Sequence, residues 1–354
     1  MDKLTSNTNH FEALDGLRAY SAIGILLMHY WENLLIRPDS FFYTNIVTWF
    51  TNFVYLFFIL SAFSLCCGYY NKIMPRSSQY FDVKTFYNRR YSRIWPFFFI
   101  LVILDTIIHP NIETVYQAFA NLTLAFNLLP NPHIQVIGVG WFLGLIFVFY
   151  MIFPWFVYLL SNKYKAWLVF IISVAFHIIL VQYFLTPEFC IDSQINSPRH
   201  NIIYSFPFLF SGGLIYLYKD KLLQFAKWGG VLLIIVLLLI YLQVTLSPKI
   251  FGENILFQLI LFSIIVIYAI NSKNIILQNR YVKFISNISM EIYLCHMVMF
   301  RVLEYIPFHN IIKNETLLYW ITCILGLILS ILFSYSIKYF LLPFFESKMK
   351  LKKQ

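Results

Sequence analysis

The chain has 354 residues, of which 60% are apolar, 20% aromatic and 12% charged, with a mean hydropathy of +0.71. Soluble domains run about 45–50% apolar and about 25% charged, so this composition excludes a soluble globular enzyme and, by the opposite bias, a disordered chain. In such a setting the net charge of +10 points to basic cytoplasmic loops rather than to nucleic-acid binding.

In chain order, the polar N-terminus Met1 to Glu12 runs into a span with a charged first turn and is not expected to be a cleaved signal. Apolar blocks follow at 14–34, 46–68, 94–109, 139–160, 166–186, 202–218, 229–247, 254–271, 286–306 and 317–344. A helix needs about twenty residues to cross ~30 Å of hydrocarbon, whereas a membrane barrel would show alternating segments of about ten. The expected fold is therefore all-α: a polytopic membrane helix bundle of about ten transmembrane helices. An eleventh stretch, 114–130, is diluted by Gln117, Asn121, Asn127 and Pro130.

The distribution of Lys and Arg decides whether that stretch crosses. With a cytoplasmic N-terminus and no crossing at 114–130, the inner segments hold nineteen cations and the outer ones four; a crossing there gives ten inside and thirteen outside. Positive charge favours the cytoplasmic side, so both termini are expected there, with 114–130 interfacial or re-entrant on the outer side and 345–354 a basic cytoplasmic tail. No internal repeat or linker divides the chain, which reads as a single integral unit over 1–354. Cys66, Cys67, Cys295 and Cys323 lie in apolar blocks and Cys190 in a polar loop, so neither a disulfide nor a metal site is expected.

Ionisable groups inside a bilayer are costly and mark candidate sites. Arg18 and His29 are eleven residues apart, which at 100° per residue puts them within about 20° of one helix face, roughly 16 Å apart along the axis. Taken singly, Arg18 snorkelling to headgroups and His29 bonded to a neighbouring helix explain them equally well. Asp15 suits the helix dipole in the first turn. Asn88-Arg89-Arg90-Tyr91-Ser92-Arg93 precedes the third span. It reads either as a topological stop or as an anion cradle, since guanidinium groups bind phosphate bidentately and stay charged. Glu291, His296 and Arg301 share the ninth block, and Trp141 and Tyr150 the fourth. His177 and the loop histidines His10, His109, His133, His200 and His309 are expected to pack or face solvent.

These residues resemble the acyltransferase-3 family of integral membrane O-acyltransferases at several places along the chain. Leu14-Asp15-Gly16-Leu17-Arg18-Ala19 with His29 resembles its Arg-x10-His opening, and Phe57-Phe58-Ile59-Leu60-Ser61-Ala62-Phe63 its FFxLSGF stretch, with Ala62 where Gly is usual. Arg89 to Pro96 is similar to RRxxRIxP, Ile288 to His296 to ISxxIYLxH, and Phe208 to Gly213 to a span carrying FLxG. The fourth span departs from the family: Trp141, Phe149 and Tyr150 match, but its two glutamates are missing. The resemblance implies transfer of an acyl group, usually acetyl from acetyl-CoA, to a hydroxyl of an envelope or surface glycan, within the cell (plasma or inner) membrane. It implies His29 as general base with Arg18 and Asp15 beside it, Arg89, Arg90 and Arg93 on acyl-CoA, and Ser61, Trp141, Tyr150, Glu291, Tyr293 and His296 as substrate or oxyanion contacts. The partners so implied are the acyl donor, a carbohydrate hydroxyl acceptor and the lipid bilayer. Direct attack and relay through His29 or a nearby hydroxyl both fit. The rival class is a transporter or flippase for a lipid-linked sugar, which also needs many spans and buried charge; an inactive scaffold retaining the fold is a third reading.

Overall fold

The structure, a computed structural model, describes residues 11–74, 80–108, 110–124, 126–128, 137–186, 188, 198–250 and 255–343. The expectations for His10, His109, His133, Cys190 and the basic tail lie outside these residues. Among the described residues every regular element is helical. The longer helices are α1 (Glu12–Asn33), α2 (Phe53–Ile73), α3 (Val83–Ile108), the short α4 (Ile112–Leu122), α5 (Gly140–Leu159), α6 (Lys163–Ile179), α7 (Ile202–Leu223), α8 (Gly229–Ile250) and α9 (Ile255–Asn271). The one-turn α10 (Ile275–Gln278), α11 (Arg280–Asn287), α12 (Ser289–Glu304), the one-turn α13 (Phe308–Ile311) and α14 (Glu315–Ser336) complete the order. Each of the ten apolar blocks overlaps helical structure, the ninth taking in the end of α11 as well as α12. Five continuous helical stretches are long and apolar enough to cross a membrane: Phe42–Ile73, Val83–Ile108, Gly140–Leu159, Lys163–Phe184 and Glu315–Leu341. The protein is a multi-pass membrane helix bundle. At eleven residues, α4 is far shorter than the ~30 Å core.

Asparagine starts many of the helices. The side chains of Asn111, Asn162, Asn201, Asn274, Asn279 and Asn314 each accept a hydrogen bond from a backbone N–H in the first turn of α4, α6, α7, α10, α11 and α14. Such a cap satisfies a donor the helix leaves open and stabilises it by about 1 kcal/mol. Three prolines, Pro96, Pro154 and Pro207, lie inside α3, α5 and α7, which membrane helices tolerate where neighbouring elements satisfy the freed backbone groups.

Packing sets which polar faces meet. α1 lies against α2 on one side and α12 on another, and α10 and α11 pack against it as well; α12 packs on α14, and α7 is held between α2 and α6. The α2–α7 contact is close because small residues face each other: a Cβ on Gly212 would stand 2.4 Å from the Ile59 carbonyl oxygen and 3.0 Å from the Ala62 Cβ. Backbone cannot yield there as a side-chain tip would. Gly212→Ala is expected to lower stability by about 1–3 kcal/mol through overpacking, read as a lower unfolding temperature of the purified protein.

Candidate functional site

A cavity of about 700 Å³ lies between α1, α2, α3, α5, α11, α12 and the turn that follows α14. Its wall combines cations with rings. α1 contributes Asp15 and Arg18, α2 Phe57, Ser61 and Ser64, α3 Arg90 and Arg93, and α5 Phe142 and Tyr150. Ser286, Asn287, Ser289 and Tyr293 from α11 and α12, with Lys338, close the opposite side.

Arg18 is held from two directions: its Nη1 sits 2.9 Å from Asp15 Oδ1, and Nη2 donates to the Ser64 hydroxyl. One helical turn thus supplies both the cation and its counter-ion, and α2 supplies the hydroxyl. Arg90 and Arg93 are one turn apart on α3 and share the cavity face. The Arg90 guanidinium lies over Tyr69, Phe86 and Tyr150, at 5.2, 5.6 and 5.7 Å from the ring centroids, and donates to Tyr69 Oη at 3.1 Å. Its Nε is buried without a hydrogen-bond partner. Arg89, rotated about 100° from Arg90, is exposed and outside the cavity wall.

Sequence patterning missed Lys338. It occupies a π-helical turn, Ile337–Leu341, where α14 widens; such turns recur at functional sites. Its Nζ lies 2.8 Å from Glu291 Oε1, and it also donates to the Asn287 carbonyl. Glu291 is 2% exposed and its Oε2 has no hydrogen-bond partner. The signal was a lone charge inside the tenth apolar block, as Asp105 is in the third, where it pairs with Arg301 of α12. Lys338→Met strands a buried carboxylate and is expected to cost about 3–5 kcal/mol in stability, whereas the double variant Glu291→Gln/Lys338→Met recovers most of that loss. Thermal unfolding of the single and double variants checks it.

His29 faces the bundle interior, beyond the cavity wall. Its ring stacks on His296 with centroids 5.3 Å apart and planes 28° apart. His29 Nδ1 lies 3.5 Å from Glu32 Oε2. His296 is fully buried; its Nδ1 lies 2.7 Å from the Tyr293 carbonyl, so Nδ1 carries the proton and Nε2 is an acceptor, here with no partner. Tyr30 donates to the His296 carbonyl at 2.9 Å and fixes the turn. Arg18 and His29 therefore both point inward from α1, onto α2 and α12 respectively.

Three rings of the cavity wall meet beside the histidine pair. Phe57, Phe142 and Tyr293 have mutual centroid distances of 5.8, 6.0 and 5.4 Å, and the Tyr293 ring is 6.0 Å from that of His296. Trp141 is not in the cavity wall; it stacks on His200 at 4.6 Å, and Asn127 donates to the Trp141 and His200 carbonyls. His177 packs edge-on against Tyr204, whose carbonyl lies 3.0 Å from its Nδ1. Cys66, Cys67, Cys295 and Cys323 are free thiols.

Burial under Trp141, aided by the neighbouring Arg199 charge, pushes the loop imidazole of His200 down to about 4 from its ordinary value of 6.5. The folded state thus favours neutral His200. Its stabilising contribution is complete above pH 6.5 and lost as pH falls toward 4. Wild-type unfolding temperature is expected to drop more steeply over that interval than that of His200→Gln.

Residues 11–337 match the family model for the acyltransferase-3 group, described as an acyltransferase domain, which takes in α1 to α14 and every cavity residue except Lys338 and Tyr339. The chain belongs to that family: it is a membrane acyltransferase. A transporter or flippase is not favoured. No curated protein and no solved structure matches the chain.

Proposed function

We propose that this protein transfers an acetyl group from acetyl-CoA to a hydroxyl of an envelope or surface glycan, with the cavity as donor site and His29 as general base. The observation that carries the reading is the joining of two chemistries along one helix. α1 presents Arg18 to a cavity rich in guanidinium groups, and about three turns later presents His29 to a second imidazole.

Coenzyme A is a cytoplasmic polyanion, so the reading takes the Arg90 and Arg93 end of the bundle as cytoplasmic, with about ten spans and both termini on that side, as the Lys and Arg distribution favours. The whole chain then acts as one acyltransferase unit in the cell membrane. Arg90 and Arg93 bind the donor phosphates, Arg18 orients the pantetheine arm, and Ser61 and Tyr150 supply polar contacts along the wall. Arg89, on the exposed face, guides the anion toward the mouth.

In the transfer step, His29 Nε2 takes the acceptor hydroxyl proton as the oxygen attacks the thioester carbonyl carbon. A C–O bond forms, the C–S bond breaks, and the departing thiolate receives the proton from the imidazolium. Glu32 beside Nδ1 holds the imidazole in the required tautomer and offsets its transient charge. His296 and Tyr293 line the approach, Trp141 borders the acceptor side, and the Glu291–Lys338 pair holds α12 against the turn after α14.

The test is release of free CoA thiol from acetyl-CoA by purified protein in lipid nanodiscs supplied with a panel of glycan acceptors. His29→Ala is expected to lower kcat by about 10²–10⁴-fold with the fold intact. Arg93→Gln is expected to raise the apparent KM for acetyl-CoA about tenfold while leaving kcat within about twofold. Unchanged release by His29→Ala contradicts the role given to that imidazole, and an unchanged KM returns Arg93 to a purely topological role.

A further inference from the structure

We propose that Phe57, Phe142 and Tyr293 form an aromatic barrier that measures the acyl group and restricts the protein to short acyl chains. The proposal rests on the reading of the cavity as the acyl-CoA site and of His29 as the place of transfer, and it names the donor class which that reading leaves open.

The three rings make a closed triangle. Their centroid distances of 5.8, 6.0 and 5.4 Å are those of aromatic pairs in direct contact, which leaves no passage the width of a methylene chain. All three belong to the cavity wall, and the next ring beyond Tyr293 is His296, which stacks on His29. An acyl thioester moving from the charged cavity toward His29 meets this triangle first.

The triangle is anchored on one side and movable on the other. Tyr293 donates through its hydroxyl to the Val139 carbonyl at 3.0 Å, and its own carbonyl is engaged by His296 Nδ1. Phe57 and Phe142 have no polar tether; Phe142 leans on Phe58 at 5.0 Å. Opening therefore means rotation of the two phenylalanine rings against a fixed tyrosine. The ground behind it is tightly packed, with Tyr30 and His296 at 0% exposure and Phe58 at 1%. Interiors of this density make no free space for added methylenes, so each carbon beyond acetyl displaces packed side chains.

The experiment is equilibrium binding of acetyl-CoA, butyryl-CoA and hexanoyl-CoA to the full chain in lipid nanodiscs, which needs no acceptor. Wild type is expected to bind acetyl-CoA at least about tenfold more tightly than hexanoyl-CoA, with butyryl-CoA between. Phe142→Ala is expected to bring that ratio below about threefold, and the milder Phe142→Leu and Phe57→Leu to lower it partway, so the test survives if the alanine variant fails to fold. Phe210→Leu alters a ring stacked on Phe156, away from the cavity, and is expected to keep the wild-type ratio. Equal affinity of wild type for all three thioesters, or an unaltered ratio in the Phe142 and Phe57 variants, overturns the barrier while leaving the donor site standing. If wild type binds none of the three, the donor reading itself falls and the barrier with it.

Discussion

Inside a bilayer a charge must find a counter-charge, a hydrogen-bonding partner or a water-filled cavity, and this requirement organises the protein. Arg18 meets it with Asp15 and Ser64, Lys338 with Glu291, and Arg301 with Asp105. Two of these three pairs border the same cavity, so groups that would be most costly in lipid are gathered around one internal space. The pairs also tie distant segments together: Lys338 fixes the last helical stretch to α12, and Arg301 fixes α12 to α3.

The cavity and the histidine pair make a division of labour along α1. Permanent charge stands at one end, suited to phosphate, which needs a cation whatever the pH. Imidazole stands about three turns further on, where the proposed reading has the acceptor hydroxyl lose its proton. In the proposed reading the aromatic triangle keeps these two environments apart.

Much of this was legible in the sequence because hydrophobicity and helix periodicity are local properties. The apolar blocks fall on the observed helices, since about twenty consecutive apolar residues leave a chain in lipid no other way to satisfy its backbone. The shared face of Arg18 and His29 follows from the 100° step, but its inward direction is seen only in the contacts with Ser64 and His296. The same step separates Arg89 from Arg90 and joins Arg90 to Arg93, a distinction that treating the three arginines as one cradle overlooks. Tertiary contacts were not legible. Nothing local says that Lys338 meets Glu291 forty-seven residues away, that Trp141 stacks on His200 rather than lining the cavity, or that Phe57, Phe142 and Tyr293 from three helices converge. A lone Lys or Asp within an apolar block does announce that a partner exists, without naming it.

The most direct measurement of the account is an experimentally determined structure of the protein in lipid with coenzyme A bound. The account predicts phosphate density against Arg90 and Arg93, with the pantetheine arm running past Arg18 and its thiol ending at the Phe57–Phe142–Tyr293 triangle. Coenzyme A bound outside this cavity, or a His29 side chain turned to lipid, would contradict it.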